Sequence, residues 1–588
     1  MKAKKTEAAR VIRKPAVSQK PPLWPLFAAI AGALIAVLWA YGPSMHGPFL
    51  FDDTTLQFAL PGFAEPLRAW VSHLRPLLMF TYWVNVQVSG SDTFSYHVVN
   101  VLIHLAAAVL IYFIVRRLVE WGGVEPGMRT PLAGFCALLF LLHPVESEAV
   151  AYLAGRSESL SSTMVFAAFA VFLYAKPGGI TWARSAAVIV LFLAALASKE
   201  QTIVLPALLL LTDYWWNPGF SFRGIRENWK LYVPLAVGAA AGLVRFAPLI
   251  FNAQTAGFGM KDLTWYQYLF TEFRAIFVYI REFFLPFGLN ADWDFPISHS
   301  IFDRGAIVGL IALLALIAAA WYYRKRFPLA SYGFFAFLVL MLPTSSILPI
   351  RDPIAERRLY FASVGLLLVV ADLVRRVKLP RATLTAACAA LLLLAAVVTH
   401  TRAEAWSSEL ALWEDSTAKS PDKPRDHFQL ANAYLDAGDC ARAVTEFEKT
   451  SRYPGDNFPR YNLLVDWGLA LDCTTQQDQA LAKFREAAAL EQTAHVYTQM
   501  AKVYGEREQW TEFDDALKRA QTIDPTFASI YAYRGIEYVK LKRWADAVRE
   551  YQHALQLDPS LEPTIQPGLI TARQQLARQP VLQPAGGR

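Results

Sequence analysis

The chain has 588 residues, of which 55% are hydrophobic and only 18% are charged. This composition lies outside the range of ordinary soluble proteins and excludes a wholly soluble enzyme. The net charge of +7 is modest. Most of this net charge lies in the first twenty residues, before an apolar run, which argues against a nucleic-acid partner.

The first predicted element is a retained signal anchor. Seven Lys or Arg and one Glu fall within the first twenty residues, ahead of an apolar run from Leu23 to Tyr41. The run is long for a signal peptide, and no small-residue cleavage site follows it. We therefore expect residues 1–22 to form a cytoplasmic basic tail, held inside by the positive-inside rule.

Further apolar runs predict a polytopic helix bundle. A span needs about 20 mostly apolar residues, and loops rich in Lys and Arg face the cytoplasm. Eleven crossings fit both rules, near residues 23–41, 96–115, 131–143, 158–175, 186–198, 202–215, 231–250, 305–322, 331–348, 358–374 and 382–399. Residues 76–89 and 265–286 are aromatic but interrupted by polar groups, which favours helices in the outer interface. The odd number of crossings places the rest of the chain outside.

From about residue 402 the composition becomes that of a soluble protein, and a repeat appears. Pairs recur at a spacing of 34 residues: Tyr504 and Tyr538, Trp510 and Trp544, Pro525 and Pro559. This period is typical of tetratricopeptide repeats, and two looser units precede, at 424–457 and 458–492. We predict an all-α protein with a membrane domain at 23–401, a tetratricopeptide-repeat α-solenoid at 402–578 and a flexible tail at 579–588.

The four cysteines divide into two pairs. Cys136 and Cys388 lie within predicted spans and are expected to be packing residues. Cys440 and Cys473 fall in the repeats, outside the cytoplasm, where a disulfide and two free thiols are both possible.

An acidic pair, Asp52 and Asp53, follows the first span by about ten residues. The pair has three interpretations: a solvated loop, a divalent-metal site, or a general base beside a second acid. We favour the base, because like charges push their pKa values apart and make one group a better proton acceptor.

Basic side chains recur at the outer ends of the spans: Arg156, Lys199, Arg357 and Arg358. Arg and Lys bind phosphate strongly, although snorkelling explains any one of them alone. His143 and Glu148 lie in a polar turn, as either a hydrogen-bonded pair or substrate contacts. His97 shares a helix face with Asn100 and His104, which favours structural contacts within the bundle.

No nucleophile elbow, P-loop, zinc pattern or dinucleotide fingerprint occurs in a credible context. This argues against chemistry with a soluble cofactor and favours a lipid-borne substrate that enters from the bilayer.

The polar motifs, taken in order, resemble the eukaryotic transmembrane-and-tetratricopeptide-repeat protein O-mannosyltransferases, and more widely the GT-C glycosyltransferases. The resemblance rests on Phe51-Asp52-Asp53, Arg75-Pro76-Leu77, His97 to His104, HPVESEAVAYLAGRSESL from His143, SKEQ at 198–201, DWDFP at 292–296 and AERRLYFASVG at 355–365. It covers nearly the whole membrane half. The relatives tend to carry His where this chain has Glu146 or Ser147, and they have more repeats.

The resemblance implies a role for each motif. Asp52, with Asp53 beside it, would be the base for a Ser or Thr hydroxyl, and Glu148 a second acid. The leaving phosphate would be held by Arg357, with Arg358, Arg156 and Lys199, while His97, His143 and Arg75 would be supporting polar residues. The family inverts the sugar without a required metal or other cofactor.

The expected activity is therefore transfer of a monosaccharide from a polyprenyl-phosphate donor to an exported protein bound by the repeats. We expect a multi-pass protein among the lipids of a bacterial inner membrane, with its repeats outside the cytoplasm. Two alternatives stay open: transfer to a lipid or polysaccharide, and a non-catalytic scaffold that recruits partners through its repeats.

Overall fold

The computed structural model describes residues 24–56, 66–72, 74–175, 179–252, 257–453 and 459–578. The predicted basic tail, 1–22, and the predicted flexible tail, 579–588, lie outside these ranges. The longer elements within them are all helical, as the composition and periodicity predicted.

The membrane half contains sixteen described α-helices. They are α1 Trp24–Tyr41, α2 Leu67–Val71, α3 Pro76–Ser89, α4 Phe94–Trp121, α5 Pro126–Leu141, α6 Ser147–Ala151, α7 Arg156–Leu173, α8 Trp182–Leu196, α9 Leu205–Trp216, α10 Arg223–Glu227, α11 Trp229–Asn252, α12 Trp265–Phe284, α13 Ala306–Tyr322, α14 Pro328–Met341, α15 Arg357–Val374 and α16 Arg381–Glu404. Single 3-10 turns lie between them, including Phe51–Thr55, Pro144–Glu146 and Glu200–Val204. Several helices begin at a proline, whose missing N–H would be unpaired in the first turn.

A helix coincides with each of the eleven predicted crossings, but the number of spans is not confirmed. Four segments in the described ranges are long and apolar enough to cross a bilayer: Phe27–Ser44, Phe94–Trp121, Asp303–Tyr322 and Arg381–Glu404. A fifth span is possible if the helices Pro126–Leu141 and Pro144–Ala151, which are bent by 48° relative to each other, together form one span. Others, such as the 12-residue α9, are shorter than the roughly 20 residues that a straight span needs.

The repeats form antiparallel helix pairs. The elements are α17 Glu409–Lys419, α18 Pro424–Asp436, α19 Cys440–Ser451, α20 Arg460–Cys473, α21 Gln477–Leu490, α22 Ala494–Glu506, α23 Trp510–Ile523, α24 Ala528–Lys540, α25 Trp544–Leu557 and α26 Glu562–Arg578. Cys440 and Cys473 form a disulfide, with their Cα atoms 6.0 Å apart. The bridge joins the start of α19 to the end of α20, so it ties two successive repeats together.

Hydrophobic packing divides into separate clusters, and one of them joins the two halves. The bundle and the later repeats each have a core. Between them, Leu50 and Tyr152 of the membrane half pack with Trp406, Trp413 and Phe428. The first repeat helices therefore lie directly against the loops that carry the predicted site.

Candidate active site at the interhelical loops

Asp52 and Asp53 differ sharply in environment, although they are adjacent. Both lie in the 3-10 turn Phe51–Thr55. Asp52 is exposed, whereas Asp53 is 1% exposed. The Asp53 carboxylate accepts hydrogen bonds from the backbone N–H of Leu50 (3.1 Å) and of Ala154 (2.7 Å). Asp53 therefore binds the turn to the loop before α7 and leaves Asp52 on the accessible side.

Burial raises the pKa of Asp53 to about 8, although its hydrogen bonds from Leu50 and Ala154 lower it. The neighbouring carboxylate of Asp52 raises it further. This raised pKa favours the protonated, neutral form of Asp53 at pH 7.

Tyr152 links this turn to the predicted phosphate-binding side. The backbone N–H of Asp52 donates to the Tyr152 hydroxyl oxygen (3.1 Å). Burial raises the pKa of Tyr152, the carboxylates of Asp53 and Asp52 raise it further, and the charge of Arg357 lowers it. The Tyr152 hydroxyl contacts the acidic turn, and Arg357 contacts Glu148, four residues before Tyr152 in the chain.

Arg357 and Glu148 form an ion pair at the start of α15. The Glu148 carboxylate accepts from the Arg357 backbone N–H (2.8 Å) and from its Nη1. Glu148 is 1% exposed, whereas the Arg357 side chain is 26% exposed. The buried acid thus holds a guanidinium that still has an accessible face.

A second basic group lies beside this pair. Lys199 Nζ donates to the buried carboxylate of Glu158, which also accepts from Gln201. Burial lowers the pKa of the Lys199 amine, Glu158 raises it, and the charges of Arg75 and Arg357 lower it. Arg75 donates two hydrogen bonds to Glu200, of 2.9 and 2.8 Å. The structure therefore brings Arg75, Lys199 and Arg357 into one electrostatic neighbourhood.

Arg156 and Arg358 are held inside the protein. Arg156 is fully buried and donates to Asn100 Oδ1 (2.7 Å), Asn85 Oδ1 (2.7 Å) and the Tyr96 carbonyl (2.9 Å). Arg358 is 7% exposed and donates to two backbone carbonyls of the preceding loop. Their guanidinium groups serve internal contacts in this structure.

The two predicted supporting histidines also make internal contacts. His97 Nε2 donates to the Gly47 carbonyl (3.1 Å), which fastens the loop after α1 to α4. His143 Nε2 donates to the Phe283 carbonyl (2.9 Å), and its Nδ1 accepts from the Val145 N–H (3.3 Å). His143 therefore caps the turn that leads to Glu148 and connects it to α12.

Sequence reasoning missed Tyr152 and Glu158 as members of this neighbourhood. Both belong to the run that begins at His143, so the motif contained them, but a tyrosine and one further acid gave no separate signal. It also missed the ionic partners of Asp292, which lie more than 130 positions away. Among the residues that the structure describes, no group of three or more His, Cys, Asp or Glu could hold a metal ion.

Comparison with known proteins supports the resemblance. The family model "Tetratricopeptide repeat" matches residues 528–561. A Caenorhabditis elegans protein O-mannosyl-transferase is 25% identical over 429 residues, covering 68% of this chain and 59% of the relative. Protein O-mannosyl-transferase TMTC3 of Mus musculus is 24% identical over 591 residues, covering 88% and 62%. A solved structure, "Crystal structure of MamA", aligns with TM-score 0.22 and 18% identity over 26% of this chain and 87% of its own.

The chain spans about 60% of the length of these curated relatives. The similarity to transmembrane-and-tetratricopeptide-repeat protein O-mannosyltransferases, predicted from the motifs, is confirmed by relatives from several animals.

Proposed function

We propose that the protein is a membrane glycosyltransferase that moves a monosaccharide from a polyprenyl-phosphate donor to a Ser or Thr hydroxyl of an exported protein. One observation carries the proposal: the short segment from Glu148 to Tyr152 contacts the partly exposed cation Arg357 through Glu148, and it contacts the exposed acid Asp52 through Tyr152. An acid that can take a proton and a cation that can hold a phosphate are what this transfer requires.

The reaction is a single displacement. The Asp52 carboxylate accepts the proton of the acceptor hydroxyl as its oxygen attacks C1 of the sugar. The bond from C1 to the phosphate oxygen breaks, its electron pair leaves with the polyprenyl phosphate, and Arg357 pairs with the developing charge. The sugar passes through an oxocarbenium-like state, and attack opposite the leaving group inverts the anomeric carbon.

The neighbouring residues position these two groups. Asp53 holds the turn through its bonds to Leu50 and Ala154, and Glu148 orients Arg357. We assign Lys199 and Arg75 to the donor phosphate as longer-range positive charges, because their side chains are partly exposed. Arg156, Arg358, His97 and His143 then support the site from within the protein.

The names of the relatives direct the choice of substrate. They are called protein O-mannosyl-transferases, so mannose is the first sugar to test and a protein hydroxyl the first acceptor. We propose that residues 23–401 bind the lipid donor. The repeats at 402–578 would present the acceptor outside the cytoplasm, at a bacterial inner membrane. Their position against Phe51 and Tyr152 is consistent with an acceptor that reaches Asp52 from this side.

The proposal is tested by mass analysis of intact exported proteins and their glycopeptides. Cells with the native protein are compared with cells that lack it and with cells that carry Asp52→Asn. Asp262→Asn, in an exposed loop before α12, is the matched control. We expect an O-linked hexose-sized mass to disappear in the deletion and in Asp52→Asn, and to remain in Asp262→Asn.

Other outcomes decide between the alternatives. Full transfer by Asp52→Asn would overturn the assignment of the base. Unchanged protein glycans in the deletion strain would reject the protein acceptor, and a changed lipid-linked or polysaccharide glycan would then identify the other acceptor class.

A further inference from the structure

The loop at 289–296, which joins α12 to the segment before α13, is held by the first repeat helices. Asn290 Nδ2 donates to Ser420 Oγ (2.8 Å), and Ser416 Oγ donates to Asn290 Oδ1 (2.8 Å). Ser420 Oγ donates to the Asp292 carbonyl (3.0 Å), and the Asp294 N–H donates to Ser420 Oγ (3.0 Å). The membrane half and the repeats therefore share one buried hydrogen-bond network.

An ionic cluster reinforces this network. The Asp292 carboxylate, 3% exposed, pairs with Lys423 and accepts two hydrogen bonds from Arg425. Arg425 Nη2 also reaches Asp352 Oδ1 (3.0 Å), in the loop before α15. Burial raises the pKa of Asp292, but the charges of Arg425 and Lys423 and the hydrogen bonds from Arg425 bring it below its usual value. Removing the arginine partner of a buried acid leaves an unpaired buried charge, which strongly destabilises the folded protein.

The network reaches the phosphate side of the proposed site through Glu356. The backbone N–H of Asn290 donates to the Glu356 carboxylate. Glu356 directly precedes Arg357, and it is fully buried. This hydrogen bond connects the loop at 289–296 directly to the residue before α15.

The same repeat helices also contact Phe51, in the turn that carries Asp52 and Asp53. The Phe51 ring stacks on Trp413 of α17, with centroids 5.2 Å apart and an interplanar angle of 19°. The guanidinium carbon of Arg425 lies 5.8 Å from the Phe51 ring centroid. Phe51 directly precedes Asp52, and it has a positive φ of 56°, a conformation that non-glycine residues rarely adopt and that surrounding contacts must maintain.

We propose that this repeat segment, Trp413 to Arg425, is a positioning part of the active centre. It fixes the position of Asp52 through Phe51, and it fixes the position of Arg357 through Asn290 and Glu356. The repeats are then required for the chemical step as well as for acceptor binding. This inference rests on the proposed glycosyl transfer for its catalytic meaning, while the mechanical coupling stands on the contacts alone.

The test combines hydrogen exchange with kinetics on the full-length protein in lipid nanodiscs. The variants are Arg425→Gln, which breaks the Asp292 pair, and Trp413→Leu, which removes the stacking on Phe51 and leaves the ions in place. Arg452→Gln is the matched control, because Arg452 makes an exposed ion pair with Glu448 of α19, outside the segment from Trp413 to Arg425. Arg425→Lys tests rescue by a charge without the planar fork.

In both disruptive variants we expect amide exchange at 50–56 to rise about 10-fold or more, with no change in α22 to α25. Turnover should fall by about 10- to 100-fold, the scale expected when reacting groups are misplaced by about 1 Å, while the KM for a short acceptor peptide stays within about 3-fold. Arg425→Lys should recover part of the turnover, and Arg452→Gln should match the native protein in both measurements.

Different failures have different meanings. If Arg425→Gln does not fold, Trp413→Leu alone decides the question. Unchanged exchange at 50–56 in a folded Trp413→Leu variant overturns the coupling, and a change in KM alone overturns the positioning role. If the native protein transfers no sugar while exchange still rises in the variants, the proposed function fails but the coupling between the repeats and the turn is retained.

Discussion

The backbone N–H of Asp52 donates a hydrogen bond to the hydroxyl oxygen of Tyr152, 100 positions later in the chain and 3.1 Å away. Tyr152 is buried, and its ring also stacks on Trp406, with centroids 5.6 Å apart. The hydroxyl is therefore a fixed point against which the acidic turn is aligned.

Tyr152→Phe removes this acceptor and keeps the ring. Loss of one such hydrogen bond costs about 1 kcal/mol, so we expect transfer to fall by about 5-fold. Tyr531→Phe is the control, because it removes a tyrosine hydroxyl that donates to the Pro525 carbonyl in the last repeats, away from the acidic turn. Rates of sugar transfer to a peptide in nanodiscs provide the measurement. Equal rates for the two variants would show that the Tyr152 hydroxyl does not align Asp52.

The sequence predicted the elements well, because apolar length and the 34-residue period are local signals. A helix lies at every predicted crossing, and both aromatic segments, 76–89 and 265–286, contain helices at Pro76–Ser89 and Trp265–Phe284. The number of spans does not follow from these signals, because helices such as α9 and α14, of 12 and 14 residues, are shorter than a straight span needs.

The roles of individual charged residues could not be separated by sequence. Arg156 and Arg357 both stand at the start of an apolar helix, yet only Arg357 keeps an accessible face. The partners that bury Arg156 lie 56 to 75 positions earlier, so no local pattern reveals them. The sequence could not distinguish Asp52 from Asp53 either, because their orientations in the turn depend on contacts with Leu50, Tyr152 and Ala154.

Asp53 makes stability depend on pH. Its pKa is about 8 in the folded protein, against about 4 in an unfolded chain. The folded state therefore binds the proton more tightly, and this contribution to stability is complete below about pH 4 and is lost as the pH rises through about 8. In Asp53→Asn we expect the fall in stability between pH 5 and 8 to be shallower, by up to about 1.4 kcal/mol per pH unit.

Thermal unfolding in nanodiscs at several pH values measures this effect. Asp262→Asn is the control and should keep the native slope. The same slope in Asp53→Asn as in the native protein would show that Asp53 is not protonated on folding.

The disulfide between Cys440 and Cys473 should stabilise the repeats. It closes a loop with a sequence separation of 33, and loop-closure entropy gives a bridge of this size about 3 to 4 kcal/mol. Cys440→Ser should lower the unfolding midpoint of the repeats and leave a Cys473 thiol that reacts with an alkylating reagent. Cys388→Ser, at a free cysteine, should change neither property. Alkylation of both Cys440 and Cys473 in the unreduced, denatured native protein would contradict the bridge.

The same substitution at two arginines separates a structural role from a catalytic one. Arg156→Lys keeps the charge but cannot serve Asn85, Asn100 and the Tyr96 carbonyl together. A buried acceptor left unpaired costs about 1–3 kcal/mol, so we expect a lower unfolding midpoint and less folded protein. Arg357→Lys keeps a cation beside Glu148 and loses the planar fork for phosphate.

For Arg357→Lys we therefore expect a nearly native midpoint and a turnover reduced by about 10-fold, which corresponds to about 1.4 kcal/mol of lost transition-state stabilisation. Unfolding midpoints and transfer rates, measured on the same nanodisc samples, give both properties. The rate per folded molecule should stay near native in Arg156→Lys. The reverse pattern would be an unstable Arg357→Lys and a folded but inactive Arg156→Lys. It would show that Arg156 binds the donor phosphate, near Asn85 and Asn100, and that Arg357 has the structural role.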